Sequence, residues 1–510
     1  KCADYLEYSK KPHPPLSEGD LQLPYMRPPE QCRTFKSEIV EKIINDLTGK
    51  IENPDLARLV ENCLPNTLDT TILWFEEESG QKQGYPNTNS VDYTKLAKTF
   101  VVTGDIHAEW LRDAARQLSV YQPMIKYDKN LQNLMKGAIN LQAWYITKAP
   151  YCNAFQPPME SNIKRKPSAI DYVTPRPSWK HVFECKWELD SLASFLTLSN
   201  EYYENSGDLS FINDIWLDAF EMILTVLRRQ SSPTYDKNGG VLPYYYTFQR
   251  DTKIGSETLP LAGTGNPVNL DTGLIRSSFR PSDDACILQF FIPANAHMCV
   301  ELKRAIKYLK KTNQNNLSTI AENFIEAIYK GIYEHGIIDH PTFGKIFAYE
   351  VDGYGGKISM DDANLPSLLS LPDLGFVSAT DEIYQNTRKA ILSKSGNPYY
   401  LTGKYFKGIG GPHIGITYAW PMSLLIAIRT SDDDKEILDT LNLLIESTGG
   451  LGLMHESVNV NFPQGLSYTR PWFAWCNSEF GKTILDLAKR KPHLIFKDEF
   501  KNLSYDVENL

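Results

Sequence analysis

The segment HESVNVNFPQGLSYTRPWFAWCNSEFG (455–481) sets Glu456 beside a histidine and follows it with Arg470, Trp472, Phe473 and Trp475. Far upstream, FRPSDDAC (279–286) carries two adjacent aspartates, Asp283 and Asp284. Carboxylates on separate segments suit glycosidic bond chemistry. One, protonated, serves the leaving oxygen; the other, ionised, activates water or attacks. An indole face could hold the apolar face of a pyranose. A plainer reading competes: a Gly- and Pro-punctuated loop feeding a buried aromatic core, with the two aspartates opening a helix.

In that plainer reading Ser282 caps a helix entering ACILQFFIPANA, with Asp283 and Asp284 in its first turn. The helix dipole there depresses an aspartate's pKa, the wrong direction for a general acid. A neighbouring carboxylate raises it, so the pair could keep one member protonated. Glu456 could then be the base. His455 and Arg470 could keep it ionised, or could equally be satisfied loop residues.

Other chemistries lack their residues. His455-Glu456 has no second histidine at zincin spacing, and no Cys/His cluster has ligand spacing. GTGNPV lacks the third glycine of a dinucleotide loop, and neither a phosphate-binding loop nor a G-x-S-x-G elbow occurs. His107 stands alone in DIHAEW. The SDDDK run at 431–435 is expected to start a helix with Ser431 as its N-cap. A net charge of -9 with no long Lys/Arg block argues against nucleic acid as a partner.

The elements that must position these groups are mostly helices. FINDIWLDAFEMILTVLRR places Ile212, Ile215, Trp216, Ala219, Phe220 and Ile223 on one helix face. The same period runs through Leu131, Leu134, Met135, Ala138 and Ile139, through Ile320, Phe324, Ala327 and Ile328, and through Ile437, Leu438, Leu441 and Leu444. Strand-like alternation is short, around VLPYYYTF and GKIFAYEV. Polar, motif-like segments recur between the helices: TGDIHAEWLRD, ECKWELDSL, FRPSDDAC, DDANLPSLL and GGPHIGITYAW. That alternation suggests a toroid of helical hairpins with its site at one mouth.

Residues 1–35 are rich in proline and are expected to be extended and to wrap a surface, leaving 36–510 as one catalytic domain. Cys2 and Cys32 flank this leader and make a plausible disulfide. Cys286, Cys299 and Cys476 lie in apolar stretches and read as buried thiols. Two acceptor sequons, Asn316-Leu-Ser318 and Asn502-Leu-Ser504, lean the reading towards the secretory pathway or the cell exterior. The chain starts at Lys1, so a leader or an anchor could have been removed. No run of 18 apolar residues occurs, so the chain as given has no membrane span.

The ordered motifs TGDI-xx-xWLRD, ELDSL, FRPSDDAC, DAN-x-PSLL and HES-x-N-x-N followed by TR-x-WFAW-x-NS-x-FG resemble glycoside hydrolase family 125, the exo-acting α-1,6-mannosidases. The resemblance implies an (α/α)6 barrel, hydrolysis with inversion, and no metal or other cofactor. By motif position Asp283, with Asp284 as the alternative, would be the general acid and Glu456 the general base. Asp105, Arg112 and Asp113 could grip adjacent sugar hydroxyls, or Arg112 and Asp113 could simply knit helices together. Asp190, Arg280, Asn364 and His413 are further pocket candidates, and Trp472 could stack on the sugar or lie in the core. The expected partner is an α-mannoside oligosaccharide or mannan, met by a monomer. Rival readings are a calcium-dependent mannosidase or glucosidase on a similar toroid, and a non-catalytic glycan-binding protein.

Overall fold

The computed structural model describes residues 1–79 and 91–510. Its helices form two concentric rings. The inner ring comprises α1 (Leu111–Ser119), α2 (Leu189–Ser206), α3 (Ile292–Lys311), α4 (Leu371–Leu374), α5 (Pro421–Arg429) and α6 (Ala474–Arg490). α1 packs on α2 and α6, α2 on α3, α3 on α4, and α5 on α6. Arg429 of α5 closes the ring by reaching Asp373 of α4 at 2.6 Å.

Outer helices Lys129–Lys148, Asp214–Gln230, Asn315–His335, Glu382–Ile391 and Asp434–Ile445 alternate with the inner ones along the chain. Glu38–Lys50 and Pro54–Cys63 complete the outer layer. This is the expected (α/α)6 barrel.

The two rings differ in what their sequences must do. Outer helices bury one stripe, and the predicted stripes of Lys129–Lys148 and Asp434–Ile445 are buried apart from the half-buried Leu438. In Asp214–Gln230, Trp216, Ala219, Phe220 and Ile223 are buried and Ile215 is half-buried. Ile212 precedes that helix, whose N-cap Asn213 accepts from the Trp216 N–H at 3.0 Å.

In Asn315–His335 the expected face is displaced. Ile320 is 43% exposed, and the buried stripe runs through Leu317, Ala321, Ile328, Gly331 and Ile332. Packing on α3 and on the segment 272–274 selects this side; a Cβ on Gly331 would meet the Thr272 carbonyl. The Asp434–Ile445 helix also corrects an expectation. Its N-cap is Asp433, which accepts from the N–H groups of Lys435 and Glu436, while Ser431 only receives the Asp433 N–H.

Inner helices are buried nearly all round, and α1 is buried at every position. Such helices are normally apolar. α1 instead carries Arg112, Asp113, Arg116 and Gln117, each of which must find a partner within the barrel. Arg116 finds Glu479 of α6 at 2.8 Å.

Small antiparallel sheets sit at one end. Glu109–Trp110, Ala154–Phe155 and Val182–Glu184 form one, and Tyr418–Ala419, Ser457–Asn459 and Tyr468–Thr469 form another. Of the anticipated strands, GKIFAYEV yields Gly344–Phe347 and Glu350–Val351, whereas VLPYYYTF contributes only the start of Thr247–Arg250.

The proline-rich leader is tied down rather than loosely draped. Arg58 donates to the carbonyls of Pro15 and Leu23, Arg27 pairs with Asp69, and Leu23 and Met26 join the core. Cys2–Cys32 is a disulfide. A second, Cys152–Cys185, has no counterpart in the sequence reading. Cys63, Cys286, Cys299 and Cys476 are free and buried.

Candidate active site

Four inner helices begin at one mouth with a large or charged N-cap in extended backbone: Trp110 before α1, Glu188 before α2, Trp420 before α5 and Phe473 before α6. A short strand leads directly into two of these starts, Glu109–Trp110 into α1 and Tyr418–Ala419 into α5. The helix ends bring positive dipole ends towards the mouth, where acidic side chains are favoured. A cavity of about 350 Å³ lies there. It is lined by Trp110, Arg112, Asp113, Asp283, His413 and Glu456, with Asn364, Trp420, Phe473 and Trp475 completing its walls. A larger cavity of about 1090 Å³ lies beside the N-terminal segment, but its buried Asp69 is already matched by Arg27 and its Asp128 by Ser37. The candidate acids Asp283 and Glu456 both line the smaller one.

No helix starts at Ser282, so the dipole expected to act on Asp283 is absent. Residues 279–285 form a tight turn closed by the Asp283 N–H on the Arg280 carbonyl and the Arg280 N–H on the Asp284 carbonyl. Asp283 takes φ +67° at its tip, a left-handed conformation that a non-glycine residue holds only at a cost. The turn separates the two acids. The Asp283 side chain is 22% exposed and receives Trp110 Nε1 at 3.1 Å, Asn153 Nδ2 at 3.2 Å and Arg112 at 3.4 Å. Lys186 Nζ donates to the Asp283 carbonyl at 2.8 Å. The Asp284 side chain is only 4% exposed and faces His413 Nδ1 at 3.3 Å.

Burial alone would raise the Asp283 pKa, but a hydrogen bond with Glu188 and the Arg112 and Lys186 cations hold it well below the usual carboxylate range. His413 shows the reverse balance. Burial would lower it, yet Asp284 lifts it to about 9, so it is cationic at neutral pH.

Glu456 accepts from Thr469 Oγ1 at 3.0 Å and from Arg470 at 3.3 Å. Arg470 also holds Asp105 by two bonds. His455 does not help to ionise Glu456. Burial depresses its pKa to about 4, leaving it neutral, and its Nδ1 bonds the Arg470 carbonyl while its ring stacks on Tyr468.

Several expected pocket residues stand behind the wall. Asp190 is fully buried and reaches Arg112 at 3.1 Å. Arg280 pairs with Glu350 and braces the Asp283 turn from below. Trp472 is 5% exposed and does not line the cavity. A Cβ on Gly104 would meet its ring at 2.7 Å, and Tyr5 of the leader packs edge-on against it, so stacking on a sugar is denied to it. Asn364 lines the cavity, held by Asp362, and Asp105 acts through Arg470.

Sequence reasoning missed Trp110, Lys186, Glu188 and Asn153 as functional neighbours of Asp283. Three of them sat inside motifs already singled out, WLRD and ECKWELDSL, and adjacency to those charged positions was the available signal. Asn153 had none. Among the described residues no group of three or more His, Cys, Asp or Glu is arranged to hold a metal ion.

A polar, aromatic-walled pocket at the mouth of an (α/α)6 barrel, lined by several carboxylates that include Asp283 and Glu456, has the make-up of a glycoside hydrolase site. Residues 53–485 match the metal-independent α-mannosidases of glycoside hydrolase family 125, and the chain belongs to that family. It is 53% identical over 500 residues to the meiotically up-regulated gene 157 protein of Schizosaccharomyces pombe, covering 98% of this chain and 94% of that one. A Streptococcus pneumoniae metal-independent α-mannosidase, solved in a non-productive complex with α-1,6-mannobiose, superposes with a TM-score of 0.77 at 32% identity. That match covers 89% of this chain and 99% of the other. Membership removes the calcium-dependent class as the family assignment. No helix of the described residues is long and apolar enough to cross a membrane.

Proposed function

We propose that the protein removes single mannose units from non-reducing α-1,6-linked ends, with inversion and without a metal ion. The observation that carries the reading is that Asp283 and Glu456 line the same cavity of about 350 Å³, near the small end of the range for ligand clefts. A pocket of that size suits one terminal sugar rather than a chain passing through. The α-1,6 linkage is supported by the disaccharide bound to the pneumococcal relative.

In this mechanism Asp283 protonates the leaving oxygen, and it is the more exposed of the two adjacent acids. Glu456 takes a proton from a water as that water attacks the anomeric carbon from the opposite face. Arg112, Asp113 and His413 are the charged groups placed to orient hydroxyls. Trp420, Phe473 and Trp475 supply apolar wall.

Two disulfides and exposed asparagines in both sequons, Asn316 and Asn502, support passage through an oxidising secretory compartment. Residues 1–35 are proposed as a surface segment of a single catalytic domain that works as a monomer.

Proton NMR on a fresh digest of α-1,6-mannobiose tests the reading. β-Mannose is expected first, with the α anomer growing by mutarotation, while α-1,2- and α-1,3-mannobiose are turned over poorly and EDTA leaves the rate unchanged. Initial α-mannose, long oligosaccharides from a mannan, or calcium-restored activity after chelation would overturn it.

A further inference from the structure

Arg112 is the hub of an unequal charge cluster. Four carboxylates surround its one guanidinium: Asp113 at 3.1 Å, Glu188 at 2.8 Å, Asp190 at 3.1 Å and Asp283 at 3.4 Å. The next cation, Lys186, spends its ammonium on the Asp283 carbonyl and on Glu184. Glu188 and Asp190 are completely buried, so charge left unbalanced there is expensive.

Glu188 shows where the imbalance falls. Its Oε1 accepts from Arg112 and from the Ser191 hydroxyl. Its Oε2 is buried with no donor in reach. The Asp283 carboxyl converges on the same guanidinium, 3.4 Å from Arg112 against 2.8 Å for Glu188. Two carboxyl groups crowded onto one cation, one of them with a buried oxygen that lacks a donor, favour one proton between them, since both ionised would repel.

We infer that Glu188 is the proton-holding partner of Asp283: in the free enzyme one proton lies between these two carboxyl groups, resting on Glu188, and passes to Asp283 when a glycosidic oxygen docks.

This rests on the reading of Asp283 as the general acid, and it resolves that reading's difficulty. An acid held ionised by Trp110, Asn153, Arg112 and Lys186 has no proton of its own to give. With the pair, Glu188 transfers its proton and becomes a carboxylate facing Arg112, while Asp283 becomes the acid. As the C1–O bond breaks, its electron pair goes to the leaving oxygen, which takes the Asp283 proton. The attacking water forms the new C1–O bond and gives its proton to Glu456. Solvent then returns a proton from Glu456 to the pair, so one water is consumed and every protein group is restored.

The charges facing Glu188 agree with a resting proton there. Burial pushes its carboxyl well above the usual range, the Asp283 charge adds to that, and Arg112 opposes it. Asp190 on its own helix raises it further. Lys186 and the Tyr246 hydroxyl are the remaining titratable neighbours, from the segments packed against it. Glu188 touches no part of the cavity directly, so its role is that of a positioning residue acting through Asp283.

The test compares α-1,6-mannobiose with 2,4-dinitrophenyl α-mannoside, whose leaving group departs without protonation. Asp283→Asn should lose roughly 10²–10⁴-fold in kcat on mannobiose and far less on the aryl mannoside. Glu188→Gln should lose roughly tenfold or more on mannobiose, spare the aryl substrate, and move the alkaline limb of kcat/KM to lower pH. Glu188→Asp, which keeps a titrating carboxyl, should restore part of that limb.

Equal losses on both substrates by Glu188→Gln, or an unmoved alkaline limb, would overturn the pairing while leaving Asp283 as the acid. Glu188→Asp behaving like Glu188→Gln on every readout would overturn it too. Equal losses, or none, in Asp283→Asn would sink the acid assignment itself and the pairing with it.

Discussion

Arg470 reaches Glu456 Oε2 at 3.3 Å through the one guanidinium nitrogen that Asp105 leaves free. Asp105 takes the other two nitrogens at 2.8 and 2.7 Å. The arginine is therefore shared, and Glu456 is oriented by it without being fully neutralised. Thr469 fixes the second carboxylate oxygen.

This arrangement makes Glu456→Gln a clean test of base function. The amide keeps the shape and the Thr469 contact but cannot take a proton. Turnover of mannobiose should fall by roughly 10²–10⁴-fold, while calorimetric binding of the disaccharide persists. Loss of binding together with turnover would mean that Glu456 holds substrate rather than water.

The Cys152–Cys185 disulfide adjoins two partners of Asp283, Asn153 and Lys186. Asn153 Nδ2 donates to Asp283 and Glu184, and its side-chain Oδ1 receives the Lys186 N–H. Replacing both cysteines by serine should lower kcat more than it changes KM, because the donors that aim Asp283 loosen together. It should also lower Tm, since closing a loop of 33 residues is worth about 4 kcal/mol. The matching Cys2→Ser/Cys32→Ser variant should lose stability only. Equal kcat in the two double variants would separate the Cys152–Cys185 bridge from the site.

Glu109 gives a pH-dependent stability prediction. Its Oε1 takes the Val101 N–H at 2.8 Å, its Oε2 is buried without a partner, and burial lifts its pKa to about 8. The folded state thus holds this proton more tightly than the unfolded chain. Its penalty on folding is absent below the unfolded pKa of about 4.5, grows as pH rises, and levels off above about 8. Glu109→Gln should therefore leave Tm nearly unchanged at pH 4 and raise it by a few degrees at pH 8. A constant difference across that range would show that Glu109 does not titrate between the two states.

Trp472 separates packing from binding. It is wedged between Gly104 and Tyr5 and does not line the pocket. Trp472→Ala should cost about 3–5 kcal/mol of stability, with KM for mannobiose changed less than about twofold at a temperature where both proteins are folded. A larger rise in KM, with Tm preserved, would return Trp472 to the sugar site.

Much of the architecture was legible because helices advertise themselves by period. The stripes through Leu131–Ile139 and Trp216–Ile223 marked outer helices that need bury only one side. The stripe around Ile320 was placed on the wrong face. The apolar pattern of that helix is broad enough for two faces, and packing on α3 and on the segment 272–274 chose between them. The inner helices were harder to see as helices, since being buried all round removes amphipathic contrast.

For the site, residue type singled out the candidate carboxylates Asp283, Asp284 and Glu456 and most of the polar segments that meet at the mouth, without choosing between the adjacent aspartates. Tertiary structure alone decided which of those residues face the cavity. It turned Trp472, Arg280 and Asp190 into supports behind the wall and put Trp110, Trp420 and Trp475 on it. It also decided charge. A carboxyl group's proton affinity depends on burial and on the groups around it, and those come from positions distant in the chain. Arg112, Asn153, Glu188 and Asp283 acquire their shared balance only when the ring of helices closes.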